Sequence, residues 1–142
     1  HGFAILKVGP WLTFGLREAL YALDGLADVM DGHPPKGRLM AAMEKVMQSS
    51  PENWKKYYSG ADHELWLQRH FSFSDRIRYY WPSPEATASV NALLERLGDK
   101  PIPAPVIHQY FPDHDLSSGT SSGRELLVSA IEDVLAIYEA AI

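Results

Sequence analysis

The first residues able to do chemistry surround the start of the first predicted helix. Lys7 is the only charge within residues 3–8, and a charge in so apolar a segment needs a partner or a route to solvent. Gly9 follows, next to a helix start whose free N–H groups and dipole favour an anion. Thr13 would add a hydroxyl donor, and Arg17 lies one turn further on the same face. We predict that a phosphate or a carboxylate binds at Lys7, Gly9, Thr13 and Arg17.

Two plainer interpretations of these residues stay open. Lys7 is equally well explained by a buried salt bridge to an acid elsewhere. Gly9 with Pro10 also makes a simple turn, and from the residues alone the turn is the favoured interpretation.

A second chemical group is residues 71–81, which are dense in aromatic rings and include Arg76 and Arg78. Aromatic and Arg enrichment is typical of interface hot spots, and either arginine could also clamp a phosphate. The segment predicts a partner interface at four residues: Arg76, Arg78, Tyr79 and Trp81. The alternative, slightly favoured by the residues alone, is a wedge of core aromatics in which Asp75 pairs with Arg78 across one helical turn.

Four His and Asp side chains lie close together late in the chain: His108, Asp113, His114 and Asp115. They are scattered over a predicted loop and lack the spacing of a metal site borne by a helix or strand. His63 and His70 could share a helix face, but two His alone do not define a catalytic metal site. The sequence contains no Cys, no phosphate-binding Gly-rich loop and no nucleophile motif. We predict no catalytic residue, no metal and no cofactor in this chain.

The composition describes a globular domain with an acidic balance. The chain has 142 residues, 46% of them hydrophobic, and a formal net charge of −5. A general nucleic-acid binder needs a basic surface, so we expect no nucleic-acid partner. No apolar run is long enough to suggest a membrane span, and no signal-peptide pattern occurs, so we expect a cytoplasmic location.

The candidate anion-binding residues Lys7, Gly9, Thr13 and Arg17 lie in a predicted βα unit. Residues 3–8 predict a strand covered on both faces, and apolar spacing predicts a helix over 11–30. No second strong strand follows, although a buried strand must satisfy its backbone groups. We therefore expect the other strands to precede this sequence, in a larger α/β protein. The alternative is an edge strand that pairs with residues 104–108, where the Pro residues make a poor partner.

The remainder predicts a mainly α-helical chain. Helices are expected around residues 39–47, 51–58, 62–69, 84–97 and 122–138, with a turn over 72–80, an extended segment over 100–112 and a loop over 117–123. We predict two parts, residues 1–31 with the strand and first helix and residues 32–142 as a helical extension.

Three long segments resemble a known family: residues 6–23, 70–81 and 107–112. Their motifs and order are similar to the non-catalytic Z subunit of D-tagatose-1,6-bisphosphate aldolase from galactitol and N-acetylgalactosamine catabolism. The resemblance covers essentially the whole chain and matches the C-terminal third of that subunit. Two departures are His108, where Ser is expected, and the Gly9–Thr13 stretch, where only Thr13 matches the phosphate motif of catalytic relatives.

The resemblance implies the last strand and helix of a (β/α)₈ TIM barrel, followed by the helical extension. It implies a lyase-associated subunit that supports a catalytic class II aldolase partner, with zinc only in that partner. A phosphorylated ketose such as tagatose 6-phosphate is the implied ligand. The alternative is a sugar-phosphate enzyme in its own right, an aldolase or a tagatose-6-phosphate kinase.

Overall fold

The computed structural model describes residues 11–140, which fold into α-helices joined by short turns. The α-helices are α1 (Trp11–Met30), α2 (Arg38–Ser49), α3 (Asp62–Phe71), α4 (Pro84–Leu97), α5 (Ala104–Tyr110) and α6 (Gly123–Ala140). Short 3₁₀ helices occupy Pro51–Asn53, Arg76–Tyr79 and Leu116–Ser118. Within this part of the chain the prediction of a mainly helical fold is confirmed. The strand predicted over residues 3–8, with Lys7 and Gly9, lies outside the described residues.

Local signals place both ends of α4 and the start of α6 where the sequence predicts them. The Ser83 hydroxyl accepts a hydrogen bond from the Ala86 N–H at 3.3 Å, and Pro84 opens α4. Gly98 ends the same helix with φ 55°, a left-handed conformation that glycine adopts without strain. At α6 the Ser122 hydroxyl accepts from the Glu125 N–H at 3.3 Å.

The prediction of an extended segment over residues 100–112 is wrong, because α5 occupies Ala104–Tyr110. Pro103 is the N-cap of α5 and Pro105 lies in its first turn, where the missing N–H has no intrahelical partner to lose. The prolines therefore mark a helix start. The alternative pairing of residues 3–8 with 104–108 as strands is wrong for the same reason.

The helix predicted over residues 51–58 is shorter than expected. Only Pro51–Asn53 is helical, as a 3₁₀ turn, and hydrogen-bonded turns continue to Tyr58. Trp54 and Tyr58 are buried there, and the indole N–H of Trp54 donates to the Met47 carbonyl at 2.7 Å. These buried contacts hold the segment against the end of α2 without a full α-helix.

Helix α1 lies at the centre of the described residues and packs against α2, α4, α5 and α6. Its Leu20, Leu23 and Leu26 are essentially inaccessible to solvent. Around them lie apolar side chains from the other elements: Met43, Met47, Ile77, Leu93, Leu97, Ile107 and Leu126. Close packing on α6 depends on Gly15, where an added Cβ would lie 2.9 Å from Val134 Cγ2.

The division into residues 1–31 and 32–142 stays a prediction. Within residues 11–140, no helix combines the length and apolarity that crossing a membrane requires.

Candidate functional site

A stripe of polar side chains runs along α1 on the face turned toward α2, α3 and the Arg76–Tyr79 turn. Its members are four and three residues apart, which places them on one side of an α-helix. They are Arg17, Tyr21, Asp24 and Asp28. Three of them are buried, and Tyr21 is half-buried. Each must therefore find a polar partner inside the protein.

Arg17, at one end of the stripe, is buried and paired with Asp75. Its Nε lies 3.4 Å from Asp75 Oδ1, and its Nη1 donates to the His70 carbonyl oxygen. The guanidinium also lies 4.2 Å from the ring centre of Phe14. Burial raises the pKa of Asp75, while the charge of Arg17 opposes that rise. The pair joins the first turns of α1 to the turn that follows α3.

Tyr21 begins a hydrogen-bonded chain through His70 to Glu44 on α2. The Tyr21 hydroxyl lies 2.6 Å from His70 Nδ1, and His70 Nε2 lies 2.8 Å from Glu44 Oε2. Arg69 adds two donors to the same carboxylate, at 3.0 and 2.5 Å. The chain therefore ties α1, α2 and α3 together.

The pKa shifts in this chain assign its protons at neutral pH. Burial raises the pKa of Tyr21 far above its usual range, so its hydroxyl stays protonated and donates to His70 Nδ1. Burial also lowers the pKa of His70, which favours the neutral ring. Because the Glu44 carboxylate can only accept, the ring proton lies on Nε2 and donates to it. Burial disfavours the charged form of Glu44, but hydrogen bonds from Arg69, Gln48 and His70 outweigh it and lower its pKa to about 2.

Acid is expected to destabilise the protein through Glu44. The pKa of Glu44 falls from 4.5 to about 2 on folding, so its contribution to stability is present above pH 4.5 and is lost as the pH falls toward 2. We expect Glu44→Gln to lower the free energy of unfolding at about pH 5 more than at about pH 3. Urea titrations at the two pH values measure this difference.

Glu132→Gln is the matched control, because Glu132 is exposed on α6 and forms no ion pair within the described residues. A Glu44→Gln deficit of equal size at both pH values would contradict the role given to the ionised carboxylate.

Asp24 and Asp28 hold the start of α2. This helix follows Gly37, which has φ 66° and supplies no side-chain cap. Asp24 accepts from the Leu39 N–H at 3.0 Å, and Asp28 accepts from the Lys36 N–H at 2.8 Å. Carboxylates of α1 therefore replace the missing cap and place negative charge at the positive end of α2.

Asp28 also pairs with arginines of two other helices. Arg96 Nη2 on α4 lies 2.5 Å from Asp28 Oδ1, and Arg96 Nε lies 2.7 Å from the exposed Asp31. Arg38 Nε on α2 lies 3.7 Å from the same Asp28 oxygen. Sequence reasoning missed Asp24 and Asp28. The available signal was two carboxylates, four residues apart, within the apolar helix that carries Arg17 and Tyr21.

The structure describes two of the four residues predicted to bind an anion. Thr13 and Arg17 both lie on α1, and burial raises the pKa of Asp75 while the Arg17 charge and the Thr13 hydroxyl oppose that rise. In this arrangement Arg17 has a carboxylate of the protein as its anionic partner. Binding of a sugar phosphate at this position stays a prediction.

The residues predicted as a partner interface have different surroundings. Tyr79 is exposed, Arg76 and Arg78 are half-buried, and Trp81 is half-buried against the core. The expected ion pair of Asp75 with Arg78 is replaced by the pair with Arg17, while Arg78 donates to the Asp75 carbonyl oxygen at 3.1 Å. The wedge of core aromatics exists in part, because Tyr80 is buried and Trp81 packs against the core, whereas Phe73 is exposed. A role in partner binding stays a prediction.

The remaining His residues serve separate contacts. His114 lies 3.1 Å from the Ser121 hydroxyl and 3.4 Å from the Ser129 hydroxyl. His63 stacks on Trp66, whereas His70 is buried in the chain to Glu44. Among residues 11–140, no three His, Asp or Glu side chains are grouped closely enough to hold a metal ion.

A family model for D-tagatose-1,6-bisphosphate aldolase subunits of the GatZ/KbaZ-like type matches residues 1–142. The chain belongs to the GatZ/KbaZ-like family. The match confirms the resemblance expected from the three segments of the sequence.

Two curated relatives of this chain carry different names. A D-tagatose 6-phosphate 4-epimerase from Agrobacterium fabrum is 49% identical over 141 residues, which are 99% of this chain and 33% of the relative. The D-tagatose-1,6-bisphosphate aldolase subunit GatZ of Klebsiella pneumoniae is 41% identical over 140 residues, which are 96% of this chain and 33% of the relative. This GatZ/KbaZ-like chain therefore spans about a third of the length of these curated relatives.

A solved structure has the same fold over this region. The crystal structure of a probable tagatose 6 phosphate kinase from Sinorhizobium meliloti matches with a TM-score of 0.87 at 44% identity. The match covers 99% of this chain and 38% of that protein.

Proposed function

We propose that this GatZ/KbaZ-like chain is the helical, non-catalytic part of a tagatose-bisphosphate aldolase subunit. In this role it supports the activity and stability of a catalytic class II aldolase subunit in galactitol or N-acetylgalactosamine catabolism. The observation that carries the proposal is the family match over residues 1–142. The 41% identity to the Klebsiella GatZ subunit supports it further.

The buried charges of the described residues fit a supporting role. Asp28 is committed to Arg96, Glu44 to Arg69, and Asp75 to Arg17. These pairs join α1 to the elements around it. Carboxylates so engaged fix the helices relative to one another.

In the proposed arrangement, residues 3–8 and α1 form the eighth strand and helix of a (β/α)₈ barrel. Zinc is assigned to the catalytic partner, as the resemblance to class II aldolases implies.

A second candidate is a 4-epimerase that acts on tagatose 6-phosphate. The observation that favours it is the 49% identity to the Agrobacterium epimerase over 99% of this chain. In that case the anion site proposed at Lys7, Gly9, Thr13 and Arg17 would hold the substrate phosphate, and Arg17 would have to exchange Asp75 for it.

One set of assays separates the two candidates. The protein at the full length of its relatives is assayed for cleavage of tagatose 1,6-bisphosphate, alone and mixed with a catalytic class II aldolase subunit. It is also incubated alone with tagatose 6-phosphate, and formation of the C4 epimer is followed. The aldolase proposal expects cleavage that rises on mixing, with no turnover by the protein alone. Epimer formation by the protein alone, without any effect on the aldolase, would contradict it.

A further inference from the structure

Two arginines and two tyrosines form a joint surface next to the Arg76–Tyr79 turn. We name the arginine–tyrosine surface for its members Tyr57, Arg76, Arg78 and Tyr79. The Arg76 guanidinium lies 3.5 Å from the ring centre of Tyr57 and 4.9 Å from that of Tyr79. The Arg78 guanidinium lies 4.6 Å from the Tyr79 ring centre. Tyr57 is 54% exposed and Tyr79 is 47% exposed, so neither ring is covered by the other described residues.

Hydrogen bonds hold both guanidinium groups in place. Arg76 Nε donates to the Asn53 carbonyl oxygen. Arg78 Nη1 donates to the Asp75 carbonyl oxygen at 3.1 Å, and Nη2 donates to the Tyr79 hydroxyl at 3.0 Å. Long side chains normally lose rotamer freedom on binding, and groups already held by the fold lose less of it. The surface is therefore organised before any partner arrives.

The two arginines differ from those of the α1 network in forming no ion pair within the part of the chain that the structure describes. Arg17, Arg69 and Arg96 each pair with a carboxylate. No carboxylate of the described residues comes within 4.0 Å of the Arg76 or Arg78 guanidinium nitrogens. Lys56 adds a third cation, with its Nζ 5.4 Å from the Tyr57 ring centre. Positive charge thus collects at one place in a chain of net charge −5.

We propose that the arginine–tyrosine surface docks an acidic face of the catalytic aldolase subunit, where carboxylates receive Arg76 and Arg78. This inference rests on the proposed function. Planar guanidinium groups match carboxylates in a two-point geometry, and Arg and Tyr are enriched among residues that dominate binding. A protein face is favoured over a nucleic acid because the net charge of −5 repels a long polyanion.

The sequence predicted Arg76, Arg78 and Tyr79 as interface residues, and the structure changes the set at two positions. Trp81 packs against the core and is left out. Tyr57 stacks on Arg76 and is added.

Binding between the protein at its relatives' full length and the catalytic aldolase subunit tests the inference, by calorimetry or co-purification. We expect Arg78→Glu to weaken binding about tenfold or more, because it replaces attraction by repulsion. Arg124→Glu is the matched control, since Arg124 is exposed on α6 without an ion pair in the described residues, and its effect should stay within about twofold. Wild-type affinity should fall as salt is added.

Lys56→Glu keeps the test decisive if Arg78→Glu disturbs folding, as circular dichroism would show. Lys56 is exposed, and its ammonium lies over the Tyr57 ring. The Lys56→Glu substitution should weaken binding to the aldolase subunit several-fold, while the midpoint temperature of unfolding stays unchanged.

The outcomes distinguish a failure of the docking surface from a failure of the proposed function. If the wild-type protein does not bind the aldolase subunit, the proposed function fails and this inference fails with it. If the wild type binds and both charge reversals bind equally well, the docking surface is overturned while the proposed function stands. Binding of single-stranded RNA or anionic vesicles through these residues, with aldolase binding unaffected by the reversals, would also overturn it.

Discussion

Asp28→Ala is expected to lower the free energy of unfolding by about 3 kcal/mol or more, because it removes two hydrogen bonds to a buried carboxylate, each worth about 1.5–3 kcal/mol. Asp28 has no exposed surface, and its carboxylate accepts from the Lys36 N–H and pairs with Arg96. Burial by itself would raise the pKa of Asp28, but these hydrogen bonds outweigh it and lower the pKa. The substitution therefore removes one of the two carboxylates that pair with Arg96 and takes a carboxylate from the start of α2. Urea denaturation at neutral pH measures the loss.

Asp31→Ala is the matched control for this prediction. Asp31 binds the same arginine, with Arg96 Nε at 2.7 Å, but its side chain is 44% exposed. Exposed ion pairs contribute about 0–1 kcal/mol, so the loss should be much smaller than for Asp28. Equal losses in the two variants would show that burial of Asp28 does not determine its contribution.

The second large effect is expected from Arg17→Met, with a loss of about 3–5 kcal/mol because Asp75 would remain buried without its cation. Arg17 and Asp75 are each about 2% exposed, so neither charge is hydrated in the folded state. The pKa of Asp75 is already raised by burial, and losing Arg17 raises it further. A carboxyl with a raised folded pKa costs stability at neutral pH, and this cost disappears as acid protonates it. The deficit of Arg17→Met should therefore shrink as the pH falls.

A double-mutant cycle with Asp75→Asn separates the ion pair from simple packing. The double variant Arg17→Met with Asp75→Asn should be more stable than Arg17→Met alone, since no unpaired charge remains buried. Additive losses, or a deficit that is independent of pH, would contradict the account of Arg17 as the charge partner of Asp75.

Much of the helical organisation was predictable because its signals are local. Ser83 with Pro84 starts α4 and Gly98 ends it, and both act through backbone groups a few residues away. The apolar spacing of Leu20, Leu23 and Leu26 predicted the buried face of α1 for the same reason. The three long motifs were sufficient to identify the family, and the family match over residues 1–142 confirms it.

The prolines around residue 103 show where a local signal supports two structures. Pro fixes φ and removes a donor, which suits both an extended segment and the first turn of a helix. Burial of Ile107 beside α1 favours the helix, and that contact lies outside any local pattern.

The sequence by itself therefore determined most of the helices, though not α5, together with the family and the candidate residues Arg17, Arg76 and Arg78. The tertiary structure alone decided which charges meet. Arg96 reaches Asp28 across 68 residues, and Arg17 meets Asp75 across a similar gap, whereas Arg76 and Arg78 are left with tyrosine rings. Spacing along a helix tells which side chains share a face, but the partner of a buried charge depends on which element packs there. That packing turned Arg17 inward and left the arginine–tyrosine surface open.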